Sequence, residues 1–308
     1  MPSEFDLIYR YLASFGGGPS VVLGVGDDGA ALRISPAHEL IVSTDTMVEG
    51  RHFPINTLAE HIAYRAVAAA VSDLAAMAAD PIGMTLALTV PHADELWMHG
   101  LSMGLASAVG DFSIPLVGGD LTRGPLCLSV TVMGECPAGQ SLRRTGARGG
   151  DVLCVTGTLG DAAAGLMLIE GTSQLSVLPD IDTVDFLEQR FYRPSPRLEF
   201  CHWLRDNATS AIDISDGLLA DITHIAQASG VGLVVDVESL PLSPALSSLS
   251  MLNSGKLALT GGDDYELAVT VAPGTILPEG LRRIGLVTEG EQVKCSGDIE
   301  GAGYDHFK

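Results

Sequence analysis

The chain has 308 residues, 46% of them hydrophobic, which is more than one compact core of ordinary size holds and points to two domains. Lys and Arg number 17 against 38 Asp and Glu, a net charge of −21, so nucleic acid and anionic membrane are excluded as partners. The only lysines are Lys256, Lys294 and Lys308, so any bound phosphate must be held by metal, arginine or backbone N–H groups.

In chain order, apolar spacing predicts a helix over Asp6–Phe15 and strands over Val21–Gly26 and Leu40–Ser43. A long alanine-rich helix is expected over Leu58–Ala79, stopped by Asp80-Pro81. Its apolar run carries Arg65 and Asp73 and suits a buried helix better than a membrane span. Strand Met84–Val90, helix Asp94–Val109 and strands Ile114–Val117 and Leu126–Gly134 follow. The glycine-rich stretch Pro137–Gly150 marks the domain boundary, giving 1–137 and 138–308. Beyond it come strand Val152–Thr156, helix Asp161–Glu170 and a surface loop over Gly171–Asp182. Ser195-Pro196 can start a helix, and Leu218–Ser229 reads as another. Val231–Val237, Leu267–Val271 and Ile284–Val287 read as strands.

Six segments set an aspartate beside glycine or a small hydroxyl residue. They are Gly26-Asp27-Asp28-Gly29, Ser43-Thr44-Asp45, Ser72-Asp73, Gly118-Gly119-Asp120, Asp213-Ile214-Ser215-Asp216-Gly217 and Gly261-Gly262-Asp263-Asp264. Carboxylate, hydroxyl and carbonyl oxygens are what Mg²⁺ coordinates, and convergence of several such segments would give a multi-magnesium site suited to phosphate chemistry. Each segment also has a bland reading. Asp73 alone reads as a solvent-facing carboxylate, Asp45 as turn chemistry after a strand, and Asp213 and Asp216 as helix caps. Gly24 to Gly29 matches the dinucleotide pattern G-x-G-x-x-G, but no helix is predicted after it. Neither a P-loop nor a protein-kinase signature occurs. Arg123, Arg143 and Arg144 beside glycine-rich turns could fork onto phosphate or form surface salt bridges. Five scattered cysteines without a CxxC pair, and a start without a basic and apolar leader, are read as cytoplasmic.

These motifs resemble the thiamine-monophosphate kinases, in the superfamily of aminoimidazole ribonucleotide synthetase and selenophosphate synthetase. The resemblance runs from Gly24–Ala30 through Ser43–Asp45, Gly50–Phe53, Ser72–Met77, Gly118–Gly124, Asp213–Leu218 and Gly261–Leu267 to Gly303–Phe307. It implies a two-domain α+β fold like that of aminoimidazole ribonucleotide synthetase. The N-terminal domain would form a sheet or barrel across a homodimer, and the C-terminal domain would be α/β. It implies ATP-dependent phosphorylation of thiamine monophosphate with several Mg²⁺ ions. Carried over, Asp28, Ser43, Thr44, Asp45, Asp73, Asp120, Asp213 and Asp216 match metal positions. Gly119, Asp120, Arg144 and Ser215 match ATP contacts, and His52, Asp263 and Tyr304 match substrate contacts. The family commonly has glutamate where this chain has Asp263. No general base is assigned, because the acceptor phosphate is already largely anionic at neutral pH. Two rivals stand beside this reading: another ATP-dependent synthetase of the superfamily, and a non-catalytic metal or thiamine-phosphate sensor. Selenophosphate synthetase is disfavoured, since no cysteine precedes Cys127.

Overall fold

A computed structural model describes residues 3–173, 179–249, 252–290 and 292–296. The chain divides into two compact units, Met1–Leu74 with Ala79–Ser141, and Ala75–Ala78 with Leu142–Lys308.

The first unit opens with helix α1 (Glu4–Tyr11), started by a reciprocal cap in which Ser3 and Asp6 each accept the other's backbone N–H. Strands β1 (Val21–Leu23) and β2 (Ala31–Leu32) form a small ribbon. Strand β2 stands where a dinucleotide fold would need a helix, so the glycine pattern at Gly24–Gly29 is a strand-to-strand turn. Strands β3 (His38–Val48), β4 (Asp80–Val90), β5 (Leu116–Arg123) and β6 (Cys127–Pro137) make an open sheet of order β3-β6-β4-β5. Strict alternation gives it two faces. Leu128, Val130 and Val132 are buried, while Ser129, Thr131 and Met133 between them are not. Helices α2 (Ala59–Ala76) and α3 (Glu95–Phe112) contribute Val67, Val71, Leu101 and Leu105 to the buried core. They touch backbone to backbone at Gly104, where a Cβ would lie 2.1 Å from the Glu60 carbonyl oxygen.

The second unit carries a six-stranded sheet of order β12-β9-β11-β7-β10-β8. Its strands are β7 (Val152–Thr156), β8 (Ala208–Ile214), β9 (Gly232–Val235), β10 (Glu266–Val271), β11 (Leu281–Thr288) and β12 (Val293–Cys295). All neighbours are antiparallel except β12 and β9. The helices are α4 (Asp161–Ile169), α5 (Ile181–Tyr192), α6 (Cys201–Asn207), α7 (Leu218–Ser229), α8 (Pro244–Ser248) and α9 (Ser254–Thr260). Every residue of β10, an inner strand between β7 and β8, is buried, so it shows no alternation between an inside and an outside face.

Several elements differ from the sequence expectation. Helix α2 ends at Ala76, and Ala78 turns left-handed at φ 55°, so Asp80 and Pro81 begin a strand instead of merely stopping a helix. Helix α5 occupies part of the expected loop, its N-cap Asp180 accepting the Thr183 N–H. Ser195-Pro196 start no helix; the helical turn begins at Leu198 and α6 at Cys201. Among the described residues no helix is long and apolar enough to cross a membrane.

Candidate active site

In the first unit β3 runs antiparallel to β6 in unbroken register, from His38 opposite Pro137 to Val48 opposite Cys127. Asp45 therefore sits inside a long strand, not in the turn after a short one. Ile41, Ser43, Asp45 and Met47 share one face, with Ile41 and Met47 buried. Asp73, on α2, faces this strand and accepts a short hydrogen bond from the Ser43 hydroxyl. It is not the solvent-facing carboxylate it resembles in isolation. Burial first, and the neighbouring Asp73 charge second, push the Asp45 carboxyl up to about 6. Two carboxylates and a hydroxyl form an all-oxygen set whose mutual repulsion a cation would relieve. Thr44 takes the opposite face, its hydroxyl 2.9 Å from that of Thr131, so only its main chain can join its neighbours.

Asp28, Gly119 and Asp120 line one cavity of about 470 Å³, walled by Phe5 and Ile8 of α1. Gly119 has φ 153°, and a Cβ there would lie 1.9 Å from the Leu86 carbonyl oxygen on β4. Only glycine lets β5 pass so close to its parallel neighbour. His52 lies in the turn after β3; its Nδ1 accepts the Val48 N–H at 3.0 Å, and its carbonyl accepts Arg65 Nε at 3.3 Å.

The second unit holds Arg144, Asp213, Ser215, Asp216 and Asp263. Asp213 is the penultimate residue of β8 and is buried, and Ser215 and Asp216 form the turn into α7. The N-cap residue of α7 is Gly217, not Asp213 or Asp216, and a glycine brings no side chain to cap with. The turn before the helix is held instead by Asp221 from within α7. Its Oδ2 accepts the N–H groups of Ser215, Asp216 and Gly217 at 3.0, 3.1 and 3.1 Å. Burial, then the nearby Asp216 charge, raise its carboxyl to about 7. The next loop, Gly261 to Tyr265, lies along this one: Asp263 N–H donates to the Ser215 carbonyl and Tyr265 N–H to that of Ile214, both at 2.8 Å. Arg144 lies on an exposed loop whose carbonyl accepts the Ser229 hydroxyl at 3.0 Å. Tyr304 lies outside the described residues.

A buried ionic knot backs the loop. Glu266 Oε1 accepts Arg190 Nη2 at 2.7 Å and Arg197 Nη2 at 2.5 Å, and its Oε2 accepts Arg197 Nε at 2.6 Å and the Thr156 hydroxyl at 2.7 Å. Despite complete burial, these partners hold its carboxyl below the usual range. Asp221 and Glu266 were missed by sequence reasoning. Their signal was the acid itself, Asp221 four residues after the Gly217 turn and Glu266 ending the Gly-Gly-Asp-Asp-Tyr run.

Among the described residues no three His, Cys, Asp or Glu side chains are arranged to hold a metal ion by themselves. Mg²⁺ bound to a nucleotide usually takes one or two carboxylates, with phosphate and water oxygens completing the octahedron. The Asp45–Asp73 pair with Ser43 fits that pattern.

Residues 26–136 match the family model for AIR synthase related protein, N-terminal domain, and residues 148–294 that for the C-terminal domain. The chain is 42% identical over 326 residues to thiamine-monophosphate kinase of Salmonella typhimurium, an alignment covering 99% of this chain and 98% of that protein. It resembles the crystal structure of thiamine-monophosphate kinase from Stenotrophomonas maltophilia K279a at TM-score 0.84 and 42% identity, over 92% of this chain and 93% of that one. A structure of AaThiL complexed with AMPPCP and TMP is similar at TM-score 0.82 and 33% identity, over 92% of each chain.

Proposed function

The chain belongs to the thiamine-monophosphate kinase family of the AIR synthase related proteins, and we infer from this membership that it is an enzyme phosphorylating thiamine monophosphate to the diphosphate at the expense of ATP. The observation that carries the inference is near-complete alignment at 42% identity with a kinase of that activity. The facing Ser43, Asp45 and Asp73 supply a chemical reason for it.

Asp28, Ser43, Thr44, Asp45, Asp73 and Asp120 of the first unit, and Asp213 and Asp216 of the second, would hold Mg²⁺, Thr44 through its main chain. When bound, the ions neutralise phosphate charge and stabilise the charge that develops during transfer. Gly119, Asp120, Arg144 and Ser215 bind ATP. Gly119 offers backbone without a side chain in the way, and Arg144 offers a fork for phosphate oxygens. His52, Asp263 and Tyr304 bind thiamine monophosphate. The acceptor is a phosphate oxygen that is already anionic, so these residues position it and need not deprotonate it. Asp263, with an arm one methylene shorter than the family's usual glutamate, meets the substrate either directly or through water. The domains divide at 137/138, the enzyme works in the cytoplasm, and two copies pair through the exposed face of the β3-β6-β4-β5 sheet.

The test is ADP formation with ATP and Mg²⁺, comparing thiamine monophosphate with thiamine. Turnover is expected only with the monophosphate. Faster turnover on thiamine overturns the assignment, and binding without turnover leaves the sensor as the correct reading.

A further inference from the structure

Asp264 is fully buried, and its carboxylate reaches to the start of α4. There Oδ2 accepts the Gly160 N–H at 2.6 Å and Oδ1 accepts the Ala162 N–H at 3.2 Å. The residues on either side of it are both left-handed, Asp263 at φ 71° and Tyr265 at φ 50°. A non-glycine residue in this conformation is strained and persists only where its surroundings over-determine it. Here the main chain is pinned to Ser215 and Ile214 through the Asp263 and Tyr265 N–H groups. Gly262 packs so closely that a Cβ would lie 2.5 Å from the Ser215 carbonyl oxygen. Two residues on, Glu266 is locked by Arg190 and Arg197. The side chains at 264 and 266 thus face inward and are held, while Asp263 between its two pinned neighbours stays only part-buried.

We propose that Asp264 is a positioning residue for the kinase reaction: by anchoring to the start of α4 it fixes the left-handed turn that presents the Asp263 carboxylate to thiamine monophosphate. The proposal rests on the reading of the chain as a thiamine-monophosphate kinase with Asp263 as a substrate contact. Asparagine at 264 keeps the shape but offers one acceptor oxygen, so an NH₂ group meets one of the two N–H donors.

The experiment is steady-state kinetics on the wild type, Asp264→Asn, Asp264→Ser, Asp263→Ala and the Asp264→Asn/Asp263→Ala double variant. The expected result is a KM for thiamine monophosphate raised by about tenfold or more in each Asp264 variant, with kcat and the KM for ATP within about twofold. The double variant should match Asp263→Ala alone, because the two residues act through one carboxylate. A plain structural anchor gives the opposite split, lower kcat with unchanged KM values, and overturns the proposal. Multiplying effects in the double variant overturn it too. So does failure of both Asp264 variants to fold, since the anchor would then serve the whole domain. If Asp263→Ala leaves that KM unchanged while the wild type turns over thiamine monophosphate, the kinase reading stands and the positioning proposal falls. If the wild type does not turn over thiamine monophosphate, the kinase reading itself falls, and the proposal with it.

Discussion

Asp45 shows how one carboxylate changes meaning with its surroundings. In the sequence it is a turn residue; in the fold it lies inside β3, facing Asp73, with its carboxyl raised to about 6. Asp45→Asn keeps the shape and removes one of two repelling charges. We expect its metal-free melting temperature to equal or exceed that of the wild type, while Mg²⁺-dependent turnover falls by about a hundredfold or more. Melting curves with and without Mg²⁺-ATP, run beside kinetics, check this; normal turnover would sink the metal assignment. Gly119 is the other residue whose role is visible atom by atom. With the Leu86 carbonyl oxygen 1.9 Å from where a Cβ would sit, Gly119→Ala must push β5 off β4. We expect a loss of about 2 kcal/mol or more, read by urea denaturation. A loss below about 0.5 kcal/mol would mean that the strand yields freely.

At the scale of elements, helices with a strong local signal were legible. Helix α7 spans Leu218–Ser229 and β7 spans Val152–Thr156, as their apolar runs indicate. Helix α3 starts after Asp94, which accepts the N–H groups of Leu96 and Trp97. Strand β3 outruns its apolar core Leu40–Ser43 because β6 supplies a partner for every residue through Val48, and such pairing is not written in β3 itself. Strand β8 and the short helices α8 and α9 carry no clean period, whereas α5 repeats apolar residues at Val184, Leu187 and Phe191, with Leu187 and Phe191 buried, and its period was there to be read beyond the expected loop. The end of β10 makes a sharp prediction. Arg197→Met keeps bulk but leaves the fully buried Glu266 with one arginine instead of two. Breaking such a pair typically costs about 3–5 kcal/mol, so a clear drop in the urea midpoint is expected. An unchanged midpoint would show that Arg190 suffices.

For the whole molecule, charge and burial act together on pH dependence. The carboxyls of Asp45, Asp221 and Asp264 stand at about 6, 7 and 8, chiefly through burial, and that of Asp161 is raised as well. Each binds its proton more tightly folded than unfolded. Their contribution is therefore fully present below the unfolded value near 4 and is lost as pH rises through 6 to 8. Glu266, held low, matters only in acid. The metal-free protein should melt at least about 2 °C lower at pH 8 than at pH 6, and Mg²⁺-ATP should narrow the gap by binding the folded state. A higher melting point at pH 8 would contradict it. The exposed sheet face, with Leu40 at 46% and Val42 at 52% exposure, leads us to expect a dimer of twice 32.1 kDa. Light scattering that finds a monomer at micromolar concentration would count against it.

The sequence by itself determined the chemistry on offer: hard oxygen donors beside glycine turns, few cations, and a pattern that resembles one kinase family. Its local periods, two for strands and near four for helices, also settled most elements with clean patterning. Only the tertiary structure decided which acids meet and which merely hold. Ser43 and Asp73 are thirty residues apart, and Asp264 finds Gly160 from more than a hundred residues away. Proton affinity followed the same division, because it depends on burial and on charges brought close by folding, which no short window of sequence contains.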